Sequence, residues 1–128
     1  MKILGDDELL GVVRDVTSDV VTIRWRNKSI QVRKLLSYAE ETELVKRILM
    51  CCSHIDGDDV SFIPELFDIS FRANIVSAYS MIKLPDDLEK QHLILYGTDL
   101  YNCILSVANS SQVETIKNIV EYYLDYRG

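Results

Sequence analysis

Hydrophobic residues recur at helical spacing through the middle of the chain, over residues 62–84. A helix over this stretch carries two adjacent apolar stripes and only a narrow line of charge, so it must pack against neighbours on several sides. Pro85 ends it, because proline disfavours helical geometry at the preceding residue. The pattern therefore predicts that residues 62–84 form the central helix of a small domain. The two stripes are Phe67, Phe71, Ile75, Ala78 and Ile82, and Leu66, Ile69, Ala73 and Val76.

Nearer the N-terminus the pattern changes to a period of two. Apolar and polar residues alternate in residues 20–26 and again in residues 29–33, on either side of a break at Asn27 and Lys28. This alternation predicts a β-hairpin over residues 19–34 with one apolar and one basic face. An isolated hairpin is marginal in water, so the apolar face is expected to pack on helices or on another strand. That face comprises Val21, Ile23, Trp25, Ile30 and Val32.

The pattern before the hairpin is ambiguous. Asp6 can cap a short helix that continues to Arg14, but residues 9–14 can equally form a strand that turns at residues 17–19. Residues 1–18 are therefore treated as an N-terminal extension whose structure the sequence leaves open.

Start and stop signals divide the rest of the chain into short helices. Ser37 and Glu40 form a capping box, which opens a helix that runs to about residue 52. The acidic segment 56–59 is expected to be a polar turn before the central helix. The later helix starts are marked by Asp86, by Thr98, and by a second capping box at Ser111 and Glu114. The inward positions are Leu44, Ile48, Cys51 and Ile55 in the first helix and Val113, Ile116, Val120 and Tyr123 in the last.

Together these elements predict an α+β fold that is predominantly α-helical. The N-terminal hairpin is followed by about five helices in one compact bundle over residues 38–126, within a single domain of residues 19–128. The short loops between helices fit one bundle, and 128 residues suit one compact domain.

Composition narrows the function classes. The net charge of −6 weighs against nucleic-acid binding, which requires positive charge to neutralise phosphates. No apolar run approaches the roughly 20 residues of a membrane span, and no signal peptide is evident, so we expect a cytoplasmic protein that does not bind membranes. Three cysteines, two of them adjacent, fit reduced thiols in that compartment.

Candidate chemistry is sparse. The turn at residues 56–59 does not match a calcium loop, because Cys52 and Ile63 occupy the positions that need carboxylates. A metal site would draw on Cys51, Cys52, His54 and Asp56, but no second Cys/His pair completes a tetrahedral set, and buried thiols beside a loop histidine are the favoured interpretation. His92 is assigned to the apolar side of its helix. No nucleophile lies beside a histidine in the pattern, so we expect neither a cofactor nor an enzyme.

Two surface features are candidates for partner binding. Residues 20–34 carry five basic residues and no acid, a local charge of +5 that leaves −11 for the rest of a chain whose total is −6. Arg24, Arg26 and Arg33 are the proposed contacts to an acidic neighbour, and a solvated sheet surface is the alternative. Tyr122 and Tyr126 are spaced i, i+4 on the last helix, where they can anchor an interface or cover the edge of the core.

Three segments together resemble a known family. They are residues 21–26 (VTIRWR), residues 84–90 (LPDDLEK) and residues 95–101 (LYGTDLY), within a likeness that covers roughly residues 19–126. The chain is similar here to tail assembly chaperones encoded among the tail genes of long-tailed phages and prophages of Gram-positive bacteria. The three segments are a strand, a helix break and a helix cap, so they are structural motifs.

The resemblance implies a non-enzymatic helical protein in the bacterial host cytoplasm. Such a protein self-associates as a homo-oligomer and holds the aggregation-prone tape measure protein, and the tail tube protein is a further candidate partner. One alternative is a structural phage protein, such as a tail completion or head-to-tail joining subunit, and another is a small enzyme or metal protein.

Overall fold

The computed structural model describes residues 5–17 and 19–127. Within these residues the chain forms six α-helices and two β-hairpins, which confirms the predicted α+β, predominantly helical class. The elements are α1 (Asp6–Thr17), β1 (Val20–Trp25), β2 (Lys28–Arg33), α2 (Tyr38–Cys51), β3 (Ser53–Asp56), β4 (Asp59–Phe62), α3 (Phe67–Tyr79), α4 (Leu88–Gly97), α5 (Leu100–Leu105) and α6 (Ser110–Arg127). Of the two alternatives for the N-terminal extension, the helical one is observed.

The N-terminal hairpin, β1 with β2, pairs Val21 with Val32 and Ile23 with Ile30, so the predicted apolar face is confirmed. Its turn lies at Arg26 and Asn27, one residue earlier than predicted, because Lys28 pairs with Trp25. Both turn residues have positive φ, 50° and 65°, as a two-residue turn that matches strand twist requires. Val32 is completely buried, and the apolar face packs on the helices.

Helix α3 is the centre of the core, but it is shorter than predicted. Residues 59–62 form strand β4, Pro64–Leu66 forms a 3-10 turn, and α3 ends at Tyr79, well before Pro85. The chain leaves the helix there because extended Ser80 pairs with Val32 of the N-terminal hairpin. Helices α2, α4 and α5 all contact α3. Its buried apolar residues are Phe71, Ile75, Val76 and Tyr79.

The second hairpin, β3 with β4, was not predicted. The acidic segment 56–59 is its tight turn, in which Gly57 has φ +62°, a left-handed conformation that favours glycine. Helix α2 ends at Cys51, so helical spacing does not apply beyond it. The prediction that Cys51 and Ile55 face inward is therefore wrong. Cys51 is exposed, Ile55 is 67% exposed on β3, and Cys52 is buried instead. Leu44 and Ile48 are buried as predicted.

Helix caps are confirmed at α2 and displaced at α4 and α6. Ser37 and Glu40 form the predicted capping box of α2. Asp87, not Asp86, caps α4 by accepting a hydrogen bond from the Glu89 backbone N–H. Asn109, not Ser111, accepts from the Gln112 N–H at the start of α6. In α6 the buried positions are Ile116, Val120 and Leu124, so the inward assignment of Tyr123, which is 45% exposed, is wrong.

A hydrogen-bonded junction around Gln112 links three parts of the fold. The Tyr79 hydroxyl at the end of α3 donates to Gln112 Oε1 at 2.6 Å. The Leu36 N–H donates to the same oxygen at 2.8 Å, and Gln112 Nε2 donates to the Leu36 carbonyl at 2.9 Å. Tyr79 is completely buried, so its hydroxyl has lost water and depends on Gln112. One side chain of α6 therefore fixes the end of α3 and the segment before α2.

We expect Gln112→Leu to destabilise the protein by about 2–3 kcal/mol, because it leaves the Tyr79 hydroxyl and two Leu36 backbone groups without their partner. Tyr79→Phe, which removes only one bond, should cost about 1 kcal/mol. Urea unfolding of both single variants and of the double variant checks this. Because the two side chains share a bond, the double variant should lose less than the sum of the single losses, and strict additivity would contradict the junction.

Candidate functional site

The basic face of the N-terminal hairpin is partly neutralised within the chain. Arg33 donates to both carboxylate oxygens of Glu40, with Nη2 lying 2.8 Å from Oε1, and Lys34 Nζ lies 3.2 Å from Asp19 Oδ2. The hydrogen bonds from Arg33 lower the pKa of Glu40 to about 2, and the pKa of Arg33 is raised. Arg33 therefore already forms an ion pair with an acid of its own chain. The other two predicted contact residues, Arg24 and Arg26, do not form one among the described residues.

Positive charge remains at the turn end of the hairpin, on Arg24, Arg26 and Lys28. We call these three residues the basic rim. All three are exposed, and none of them forms an ion pair with any residue in the described ranges. The Arg26 guanidinium carbon lies 5.1 Å from the centroid of the Trp25 ring, a cation–π distance. The basic rim is thus the part of the predicted charged surface that is open to an acidic partner.

Trp25 fixes the orientation of this rim. Its Nε1–H donates to Asp99 Oδ1, 2.7 Å away, just before α5. This hydrogen bond is the main cause of the lowered pKa of Asp99, and Arg26 contributes a smaller electrostatic effect. The hairpin is therefore anchored to the helical bundle at its turn end as well as through Val32.

The two tyrosines predicted as interface anchors lie on α6. Tyr122 is 65% exposed, and its ring meets Tyr123 edge-on with centroids 5.8 Å apart. Tyr126 belongs to the same helix, and its side chain falls outside the part of the chain that the structure describes. Tyr122 and Tyr123 thus present aromatic surface to solvent.

Two concave grooves flank α3. The first, the hairpin groove, has a volume of about 590 Å³ and lies between β2, α2 and the end of α3. The second, the α4 groove, has a volume of about 610 Å³ and lies between α3 and the segment that leads into α4. Exposed Ser77 borders both. The apolar residues that line the hairpin groove include Val20, Leu36 and Met81. Those that line the α4 groove include Leu66, Ile82 and Leu88.

Helix α1 adds an exposed apolar surface that the sequence analysis left undecided. Leu9, Val12, Val13 and Val16 lie on one side of the helix and are between 41% and 52% exposed. We call these four residues the α1 stripe. Leu10, on its flank, is 60% exposed, and no described residue of α1 belongs to the core. The spacing i, i+3, i+4, i+7 is the sequence signal that would have identified this helix.

The candidate thiols and histidines are dispersed. Cys52 is buried, and burial raises the pKa of its thiol. His54 is exposed on β3 rather than in a loop. His92 is also exposed, so its assignment to an apolar side is wrong, and its ring stacks on Tyr96 with centroids 5.0 Å apart. Across residues 5–17 and 19–127, no three His, Cys, Asp or Glu side chains are grouped so that they could hold a metal ion.

Comparison of the chain with protein-family models, with curated proteins and with solved structures finds no match. No helix among the described residues has the length and apolar character needed to cross a membrane.

The Arg33–Glu40 pair predicts a defined response to acid. Because the folded-state pKa of Glu40 is about 2 and its ordinary value is about 4.3, the ionised carboxylate stabilises the fold fully above about pH 4.5. This contribution is lost as the pH falls towards 2. The pair is largely exposed, so solvent screening limits its contribution to the free energy of unfolding to about 1 kcal/mol or less.

We therefore expect Glu40→Gln to be less stable than the wild type at neutral pH, and the difference to vanish as the pH approaches 2. Glutamine preserves the capping box, so the substitution isolates the charge. Glu43→Gln on the same helix is the matched control, since Glu43 is an exposed acid that forms no ion pair among the described residues. Unfolding free energies measured between pH 7 and pH 2 check this, and a difference that persists undiminished at the lowest pH would refute it.

Proposed function

We propose that this protein is a non-enzymatic binding protein, a tail assembly chaperone that holds helical segments of a phage tape measure protein in the bacterial host cytoplasm and that self-associates. The observation that carries the proposal is the pair of grooves on either side of α3. Each has a volume within the roughly 300–1,000 Å³ typical of binding pockets, and each is bordered by apolar side chains. The likeness of residues 21–26, 84–90 and 95–101 to this family supplies the identity of the client.

The shape of the two grooves suits a helical client. An amphipathic helix binds a groove through apolar side chains spaced i, i+3, i+4 and i+7, and it leaves its polar face in water. Two grooves that share the wall at Ser77 can receive two such segments, or one segment that crosses between them. A long helical protein exposes many segments of this kind before it is enclosed by tail tube subunits.

The surface chemistry is consistent with binding rather than catalysis. The grooves combine apolar side chains with charged ones at their borders, among them Glu40 and Arg47 in the hairpin groove and Lys83 and Asp86 in the α4 groove. His54 and His92 lie far apart along the chain, on β3 and α4. Reversible capture of apolar segments needs buried area and no reacting group. The main rival, a structural subunit of the tail or the head-tail junction, differs in that it would remain in finished virions.

We expect Ser77→Trp to obstruct both grooves, because residue 77 is exposed on the wall that they share. Its affinity for a tape measure fragment should fall at least about tenfold, equivalent to about 1.4 kcal/mol. Ser111→Trp, an exposed serine on α6 that borders neither groove, is the matched control and should bind like the wild type. The measurements are the solubility of a co-expressed tape measure fragment and its affinity by titration.

Two results would count against this function. The first is that the wild-type protein gives no gain in solubility of the tape measure fragment. The second is that the protein is a stoichiometric component of purified virions, which would favour the structural rival. An unchanged unfolding midpoint for Ser77→Trp ensures that a loss of binding reflects the grooves and not the fold.

A further inference from the structure

Helix α1 contributes no residue to the hydrophobic core of the described chain. It has 12 residues, a length at which isolated helices are marginal in water, and Gly11 weakens it further. Its apolar residues do not compensate, because the α1 stripe is about half exposed and adds nothing to the core. An amphipathic helix of this kind is stabilised when its apolar stripe is covered. Some surface outside its own described contacts must therefore cover it.

We propose that α1 docks on a second copy of this chain, along the hairpin groove and the outer face of the N-terminal hairpin, with its acidic first turn at the basic rim. The proposal rests on the self-association in the proposed function and does not depend on the tape measure client. In such a dimer α1 occupies the hairpin groove, so the α4 groove is the one left open to a client segment. It also supplies the acidic neighbour that the exposed arginines require.

Charge complementarity supports this docking. Helix α1 carries four acids and one base, a net charge of −3, and three of the acids, Asp6, Asp7 and Glu8, lie in its first turn. The basic rim carries +3 and forms no ion pair within the described chain. Opposite charges of similar size at two surfaces steer association and fix register. Arg33 and Lys34 are already paired with acids of their own chain. The acidic first turn of α1 therefore gains the most favourable electrostatic interaction at the basic rim.

The dimensions also agree. A 12-residue helix is about 18 Å long, and the six-residue strands of the hairpin span about 20 Å. The hairpin groove, bordered by Val20 and Met81, continues through Gln31 into a smaller recess that Thr22 and Ser29 line. Met81 is 89% exposed and Val20 is 45% exposed, so apolar surface is available under the helix. An α1 laid along this path covers both residues and reaches the rim.

Buried area favours a reciprocal exchange over a simple pairing of two α1 helices. The exposed apolar side of one α1 amounts to on the order of 400 Å². Two α1 helices packed on each other would bury about 800 Å², below the roughly 1,000 Å² expected of a specific interface. Reciprocal docking buries both helices and both receiving surfaces, about 1,600 Å², which is a standard interface. The two-residue connection from α1 to β1 is of the short kind that favours exchange between copies.

The test is the mass of the full chain in solution, by sedimentation or light scattering, from about 1 to 100 μM. We expect the wild type to be a dimer. Leu9→Glu with Val13→Glu should be monomeric across this range, because glutamate keeps the helix propensity but removes the apolar contact. Met50→Glu with Leu93→Glu is the matched control, since it adds the same two charges at exposed apolar positions on α2 and α4. The control should remain dimeric.

A charge exchange tests the register. Arg24→Glu with Lys28→Glu should raise the dimer dissociation constant at least about tenfold, and so should Asp6→Lys with Asp7→Lys. Mixing the two variants should restore association in a heterodimer, because both of its docking contacts then join surfaces of opposite charge. Failure to restore it would overturn the proposed register.

Other outcomes separate this inference from the proposed function. A monomeric wild type, including one whose α1 folds back on its own hairpin groove, would overturn the inference, and so would a Leu9→Glu, Val13→Glu variant that dimerises like the wild type. Client binding by a monomeric α1 variant would leave the chaperone function intact. A dimer with no affinity for the tape measure fragment would refute the chaperone function but not the docking of α1.

Discussion

The burial of α3 is the constraint on which the rest of the structure depends. Helices α2, α4 and α5 contact it, and its last turn sets the position of two distant segments. Ser80, directly after the helix, pairs with Val32 of the N-terminal hairpin, and the Tyr79 hydroxyl binds Gln112 of α6. A hairpin of two strands is too small to be stable alone, so its place in the fold depends on this helix end and on the Trp25–Asp99 hydrogen bond at its turn end.

The same arrangement determines which surfaces are open. Because α3 is enclosed on most sides, few of its side chains are exposed, and the two grooves run on either side of one of them, Ser77. The hairpin forms a wall of the first groove and carries the basic rim at its far end. The hairpin therefore connects the groove to the charged turn, although the walls of the groove come from elements that lie far apart in the sequence.

Helix α1 stands outside this arrangement. Its large apolar side chains are all between 41% and 60% exposed, and they follow a simple amphipathic pattern. The domain does not need it for a core, because the core is complete from Val32 to Leu124 without it. An element that a fold can do without, yet that keeps an apolar stripe and an acidic first turn, is suited to contacts between molecules.

The sequence by itself determined the elements whose signals are local. Period-two alternation gave the N-terminal hairpin and its apolar face, and the Ser37–Glu40 capping box placed the start of α2, since these patterns depend only on neighbours along the chain. Tertiary contacts decided the rest. Pairing of Ser80 with Val32 ended α3 early, the β3–β4 hairpin formed from a segment with little strand pattern, and Glu40 engaged Arg33 while Arg24 and Arg26 stayed in solvent. Each of these outcomes depends on which distant groups meet, and residue spacing carries no information about that.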